Sequence, residues 1–171
     1  MFEELVRGKA LKYGDNLDTD RIYASGKHPT LDHTEMGRYA MEAEDPNFPE
    51  KVKKANIIIA GANFGCGSSR EKAPLALKYA GIKVIVADSF ARIFYRNALN
   101  VGLPVIECEG ASEKIQEGDE VEVDLRSARI INHTNGEQLK GVGIPDFLLN
   151  RLRQGGLISS LLQERTSKTQ H

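Results

Sequence analysis

Three short apolar runs constrain this chain more than any other feature. Ile57-Ile58-Ile59-Ala60, Val84-Ile85-Val86-Ala87 and Pro104-Val105-Ile106-Glu107-Cys108 read as buried strands. Helical patterns at about 69–80 and 89–101 separate them. Strand, helix, strand, helix, strand predicts a parallel sheet built from right-handed βαβ units.

The flanks are of another kind. Gly8 to Gly14 reads as a short strand and Asp15 to Asp20 as a polar turn. Arg21 to Leu31 carries Ser25, Gly26 and Pro29 without a clean period and reads as a loop. Asp32 to Met41 predicts a short helix with Asp32 as its N-cap and Glu35 three residues on. Asp45-Pro46-Asn47-Phe48-Pro49 ends it. Beyond the third run, Gly118 to Leu125 alternates as a half-exposed strand does, Ala128 to His133 follows, and Asn135-Gly136 turns a hairpin into Glu137 to Lys140. This antiparallel section is expected beside or beneath the βαβ core. Pro145 to Arg153 is a last helix closed by Gly155-Gly156, and 165–171 reads as a frayed tail. With no repeat or low-complexity linker, the expectation is one α/β domain over 1–171: a parallel βαβ core with an added antiparallel section.

Composition removes several function classes. A chain of 171 residues with 40% apolar and 27% charged side chains suits a water-soluble globular domain. A net charge of −1 leaves no footprint for nucleic acid or an anionic membrane. No apolar run approaches the ~18 residues of a spanning helix, and the opening Met-Phe-Glu-Glu-Leu-Val-Arg does not read as a signal peptide. Cys66 and Cys108 are too few for a disulfide scaffold, which suggests the cytoplasm, and too few for an iron–sulfur cluster, which usually takes four thiolates. The four histidines show no metal-ligand spacing.

Chemistry concentrates at Gly65-Cys66-Gly67-Ser68-Ser69-Arg70-Glu71, between the first strand and its helix. Such a junction aims free backbone N–H groups outward. Two hydroxyls and a guanidinium stand at the same place, so the run suits a carboxylate or phosphate. The same residues also fit a capping box, with Ser68 as N-cap and Glu71 at the third helical position. The two readings compete for the Ser68 hydroxyl. The run is not a P-loop, and Cys66, with no histidine in the segment, has no local base to activate it.

Asn63 to Glu71 resembles the signature of the aconitase superfamily's swivelling domain. Gly14-Asp15-Asn16-Leu17-Asp18-Thr19-Asp20 resembles that domain's opening turn, and Asp88 to Asn97 its second helix, with Asn100 to Val105 following in order. The resemblance covers about residues 8–160. It implies a free-standing subunit like the 3-isopropylmalate dehydratase small subunits, in leucine biosynthesis. It further implies an iron–sulfur large subunit as partner, in a heterodimer or heterotetramer, with the [4Fe-4S] cluster on that partner and no cofactor on this chain. Substrates would be small hydroxy-carboxylates, isomerised by loss and re-addition of water. By this resemblance Ser68 moves the proton, while Ser69 and Arg70 grip a carboxylate. Asp18, Thr19 and Asp20 fix the loop, and Arg92 and Arg96 are expected in structural ion pairs. One segment departs from the family: an Ile-x-Pro-Ala-Arg-type run is replaced by Ile22-Tyr23-Ala24-Ser25-Gly26, followed by Lys27 and His28. Those two either face solvent or accept a further carboxylate, as a homoaconitase small subunit would need. The reading from another class is a non-catalytic anion-binding module.

Overall fold

The computed structural model describes residues 2–29, 31–68 and 70–156. The apolar runs form parallel strands as expected. In chain order the elements are β1 (Leu5–Lys12), α1 (Thr19–Ile22), α2 (His33–Met36), α3 (Phe48–Lys51), β2 (Ile57–Ala60), α4 (Lys72–Ala80) and β3 (Val84–Ala87). There follow α5 (Arg92–Val101), β4 (Val105–Glu107), α6 (Ala111–Lys114), β5 (Glu120–Asp124), β6 (Arg129–Asn132), β7 (Gln138–Lys140) and α7 (Asp146–Arg153). A single 3₁₀ turn, Gly37–Tyr39, extends α2.

All the described strands belong to one seven-stranded sheet in the order β4-β3-β2-β1-β5-β6-β7. The antiparallel section therefore continues the sheet rather than lying beneath it, and β1 is the junction. One edge of β1 pairs in parallel with β2, Leu11 against Ile58. The other pairs antiparallel with β5, Val6 against Val123. The sheet also curls. After β7 the Val142 N–H donates to the Glu107 carbonyl at 2.7 Å, which ties the antiparallel edge to the end of β4.

Ile57, Ile58, Ile59, Val84, Ile85 and Val86 are fully buried. Successive residues point to opposite faces of a strand, so both faces of the central sheet are covered. On the helical side α4 packs on α5, and α5 on α7, while α6 packs against β2 and β3. Each such side chain stabilises the fold by roughly 1.5–3 kcal/mol relative to exposure. Asp32 caps α2 as the sequence implies, accepting from the Thr34 N–H. The one-turn helices α1, α3 and α6 are not legible in the sequence, because four residues are too few to display a period.

Candidate active site at the carboxyl ends of the parallel strands

Strands β1, β2 and β3 are neighbours running the same way, so the loops that leave their carboxyl ends emerge together. These loops keep pairing beyond the strands. Asn16 N–H donates to the Ala62 carbonyl and Gly65 N–H to the Leu17 carbonyl, both at 2.8 Å, and Thr19 N–H to the Cys66 carbonyl at 2.9 Å. On the other side Phe64 N–H donates to the Ser89 carbonyl and Ala91 N–H to the Phe64 carbonyl, both at 3.0 Å. Side chains lock the arrangement: Asp15 Oδ1 accepts from Ala62 N–H at 2.7 Å, Ser89 Oγ from Asn63 N–H at 2.8 Å, and Asn16 Oδ1 from Asn63 Nδ2 at 3.1 Å. Segments separated by some 70 residues in the sequence thus become one three-stranded rim.

Two glycines shape the middle of that rim. Gly65 has φ +80°, and a Cβ there would lie 2.1 Å from Phe94 Cγ, so the loop lies flat on the Phe94 ring. Gly67 has φ +96° but open space around it, with Asp18 Cβ nearest at 3.6 Å. Its backbone conformation, not crowding, asks for glycine.

The capping expectation for Ser68 is overturned. Helix α4 begins at Lys72 with Glu71 as its cap residue, and no side chain caps it. The left-handed turn at Gly67 and extra residues before the helix place Ser68 too far out to reach its first N–H groups. Instead the exposed Ser68 hydroxyl accepts from Arg70 Nε at 2.9 Å. Arg70 Nε is also 3.4 Å from Asp20 Oδ1. A guanidinium N–H on a hydroxyl oxygen favours negative charge there. The buried Thr19 donates Oγ1 to the Ser68 carbonyl at 3.0 Å, and Asp18 caps α1 by accepting from Arg21 N–H. The opening turn therefore holds the serine loop in place, hydrogen bond by hydrogen bond. Ser69 lies outside the described residues, as does the tail at 165–171.

The loop with Lys27 and His28 adjoins this site. Lys72, at the start of α4, donates Nζ to the Pro29 carbonyl at 2.9 Å. Lys27 is exposed. His28 is turned onto the protein: its ring stacks on Tyr39 with centroids 4.0 Å apart, and Nε2 lies 2.9 Å from Glu42 Oε1. The Tyr23 hydroxyl donates to the His28 carbonyl at 3.0 Å, and burial, then Glu42, raises the Tyr23 phenol above its ordinary value. Lys72, Tyr39 and Glu42 carry no signal in the sequence, since each acts across a gap that no motif spans.

The ion pairs expected for Arg92 and Arg96 are not found among the described residues. Both are exposed, and neither has a carboxylate within bridging distance among the described residues. Among those residues no three His, Cys, Asp or Glu side chains are placed to hold a metal ion. Cys66 is half-buried in the rim; Cys108 is buried at the end of β4, where burial, then Asp88, raises its thiol. No described helix is long and apolar enough to cross a membrane.

The family model of the aconitase C-terminal domain matches residues 3–110. The chain belongs to the aconitase C-terminal domain family. Within it, the isopropylmalate/citramalate isomerase small subunit of Methanocaldococcus jannaschii is 52% identical over 157 residues, 92% of this chain and 94% of that protein. The 3-isopropylmalate dehydratase small subunit of Caldicellulosiruptor bescii is 50% identical over 154 residues, 90% of this chain and 93% of the relative. A crystal structure of 3-isopropylmalate dehydratase from M. jannaschii superposes with a TM-score of 0.89 at 42% identity, covering 97% of this chain and 98% of that one. The aconitase-type fold thus extends well past the span of the family model, through the antiparallel strands.

Proposed function

We propose that this chain is the small subunit of a hydro-lyase of the 3-isopropylmalate dehydratase kind, working in the cytoplasm with an iron–sulfur large subunit. One observation carries the reading. Ser68, free of the capping duty its sequence position suggests, is held by Arg70 and Thr19 at the open end of the sheet. The reaction interconverts 2- and 3-isopropylmalate by trans loss and re-addition of water. Arg70, Ser69 and the loop N–H groups hold a carboxylate of the substrate. Ser68 Oγ takes the proton from the carbon α to that carboxylate, and returns it on re-addition at the neighbouring carbon. A neutral hydroxyl is a weak base, so the donation from Arg70 matters for stabilising the alkoxide.

Two cysteines, one in the rim and one buried behind β4, do not make a cluster site in this chain. The [4Fe-4S] cluster belongs to the proposed partner, where it supplies a Lewis acid for the departing hydroxyl. The loop at residues 23–29, latched to α4 by Lys72, faces the variable end of the substrate. Its exposed Lys27 is the side chain free to meet a ligand, and His28 braces the loop through Tyr39 and Glu42. The names of the relatives favour a malate bearing a small apolar group.

The test is anaerobic reconstitution with the large subunit, assayed on isopropylmalate, citraconate, homoaconitate and cis-aconitate. Activity is expected on the first two. Ser68→Ala should lower kcat by about 10³-fold or more, yet shift unfolding free energy by less than about 0.5 kcal/mol, as an exposed non-capping position should. Near-normal turnover by Ser68→Ala would remove the base assignment. Activity confined to the tricarboxylates would remove the substrate.

A further inference from the structure

Helix α5 presents an exposed face. Arg92 and Arg96 stand one turn apart and exposed, and Ile93 beside them is 52% exposed. Phe94, next in sequence, is buried beneath Gly65. The first turn of α5 holds no acidic residue. A cation there opposes the positive end of the helix dipole, which favours anions at that position. Arg92 and Arg96, like Arg38, Arg126, Arg129 and Arg151, find no carboxylate among the described residues, but these two stand together on one helix face beside an exposed isoleucine. Two neighbouring cations around an exposed isoleucine offer a partner both charge and apolar area.

The start of α5 adjoins the candidate active site. Ala91, which precedes α5, pairs with Phe64, and Phe94 contacts Gly65 three residues before Ser68. A chain that covers Ser68 and excludes water from it therefore passes over the start of α5. We propose that Arg92, Ile93 and Arg96 form a docking face for the large subunit, meeting an acidic surface that rings an apolar socket for Ile93. This rests on the two-chain reading above. Arginine is the residue expected at such a contact, because its fork binds carboxylates in pairs and it is weakly hydrated.

The experiment measures association of the cluster-bearing large subunit with wild-type chain, with the double variant Arg92→Glu/Arg96→Glu, and with Ile93→Asp, across a range of salt. Arg126→Glu, in the β5–β6 turn at the opposite end of the sheet, is the control for charge change alone. Circular dichroism and melting check that each variant folds. The double reversal should weaken binding about 100-fold or more and remove most of the salt dependence. Ile93→Asp should weaken it by at least about 10-fold, and Arg126→Glu should change nothing. At saturating large subunit, turnover by the folded variants should return. Wild-type-like affinity and salt slope in the double reversal would overturn the proposal while leaving the two-chain reading standing. Self-association of the isolated chain that the reversal abolishes would assign the face to a second copy, and would also overturn it. Failure of wild-type chain to bind the large subunit would instead bring down the reading on which the proposal rests.

Discussion

Replacing Gly65 by alanine tests the geometry of the rim directly. The new Cβ would sit 2.1 Å from Phe94 Cγ, 2.4 Å from its Cβ and 2.5 Å from its Cδ2. Carbon atoms in contact settle near 3.5–4.0 Å, so the ring would have to retreat by more than about 1 Å. It has nowhere to go: Phe94 is 2% exposed, with Phe64 edge-on at 5.2 Å and Phe90 stacked at 6.3 Å. Overpacking of this kind costs about 1–3 kcal/mol. The left-handed backbone adds about 1–2 kcal/mol for a residue with a Cβ. The expected loss is therefore about 2–5 kcal/mol. Gly67→Ala is the matched control, since it has the same backbone sign and no clash, and should lose only about 1–2 kcal/mol. Equilibrium urea unfolding followed by circular dichroism measures both. Adding Phe94→Leu to Gly65→Ala should recover part of the loss, although Phe94→Leu alone destabilises. Equal losses at the two glycines, or no recovery in the double variant, would refute the claim that the loop lies on the Phe94 ring.

Thr19→Val keeps the shape but removes the donor to the Ser68 carbonyl. It should cost about 1 kcal/mol in stability and lower kcat more than it raises KM, as steady-state kinetics of the reconstituted enzyme would show. Lys27→Ala should reduce any residual turnover of homoaconitate and cis-aconitate more than turnover of isopropylmalate, whereas His28→Ala, which loses Tyr39 and Glu42, should lower stability and affect every substrate alike. Acid titration tests Asp45. Burial by itself would raise its carboxyl, but hydrogen bonds from Lys51 and Tyr13 more than offset that and hold it below its ordinary value of 3.8. The stability this supplies is present above that value and lost as pH falls through the depressed one. Lys51→Met leaves burial less opposed, so acid unfolding should begin at higher pH, and an unchanged midpoint would refute the assignment.

The parallel core was readable because fully buried strands must be continuously apolar, and the runs at residues 57, 84 and 104 have no other use. Helices α4 and α5 were readable because each spans more than two turns. The place of the antiparallel section was not: β1 shows only partial alternation, and nothing local says that its two edges take partners of opposite direction. Local pattern also misled. Ser68-Ser69-Arg70-Glu71 satisfies a capping box in letters, yet the turn at Gly67 delays the helix to Lys72. The ion pairs expected for Arg92 and Arg96, from their place in a helix that resembles the family's, likewise find no carboxylate among the described residues.

Strand runs, glycine positions and chemically distinctive side chains are properties of short segments, and the sequence by itself determined those. It set an α/β domain and a loop of hydroxyls and arginine at a strand's end. The tertiary structure alone decided what surrounds that loop. Only pairing among β1, β2 and β3 brings Thr19 onto Ser68 and Asp20 onto Arg70, and packing against Phe94 adds to the left-handed backbone that asks for glycine at Gly65. Contacts between residues some fifty apart depend on how three strands align. That alignment is settled by burial of the whole sheet, not by any stretch of chain that could be read alone.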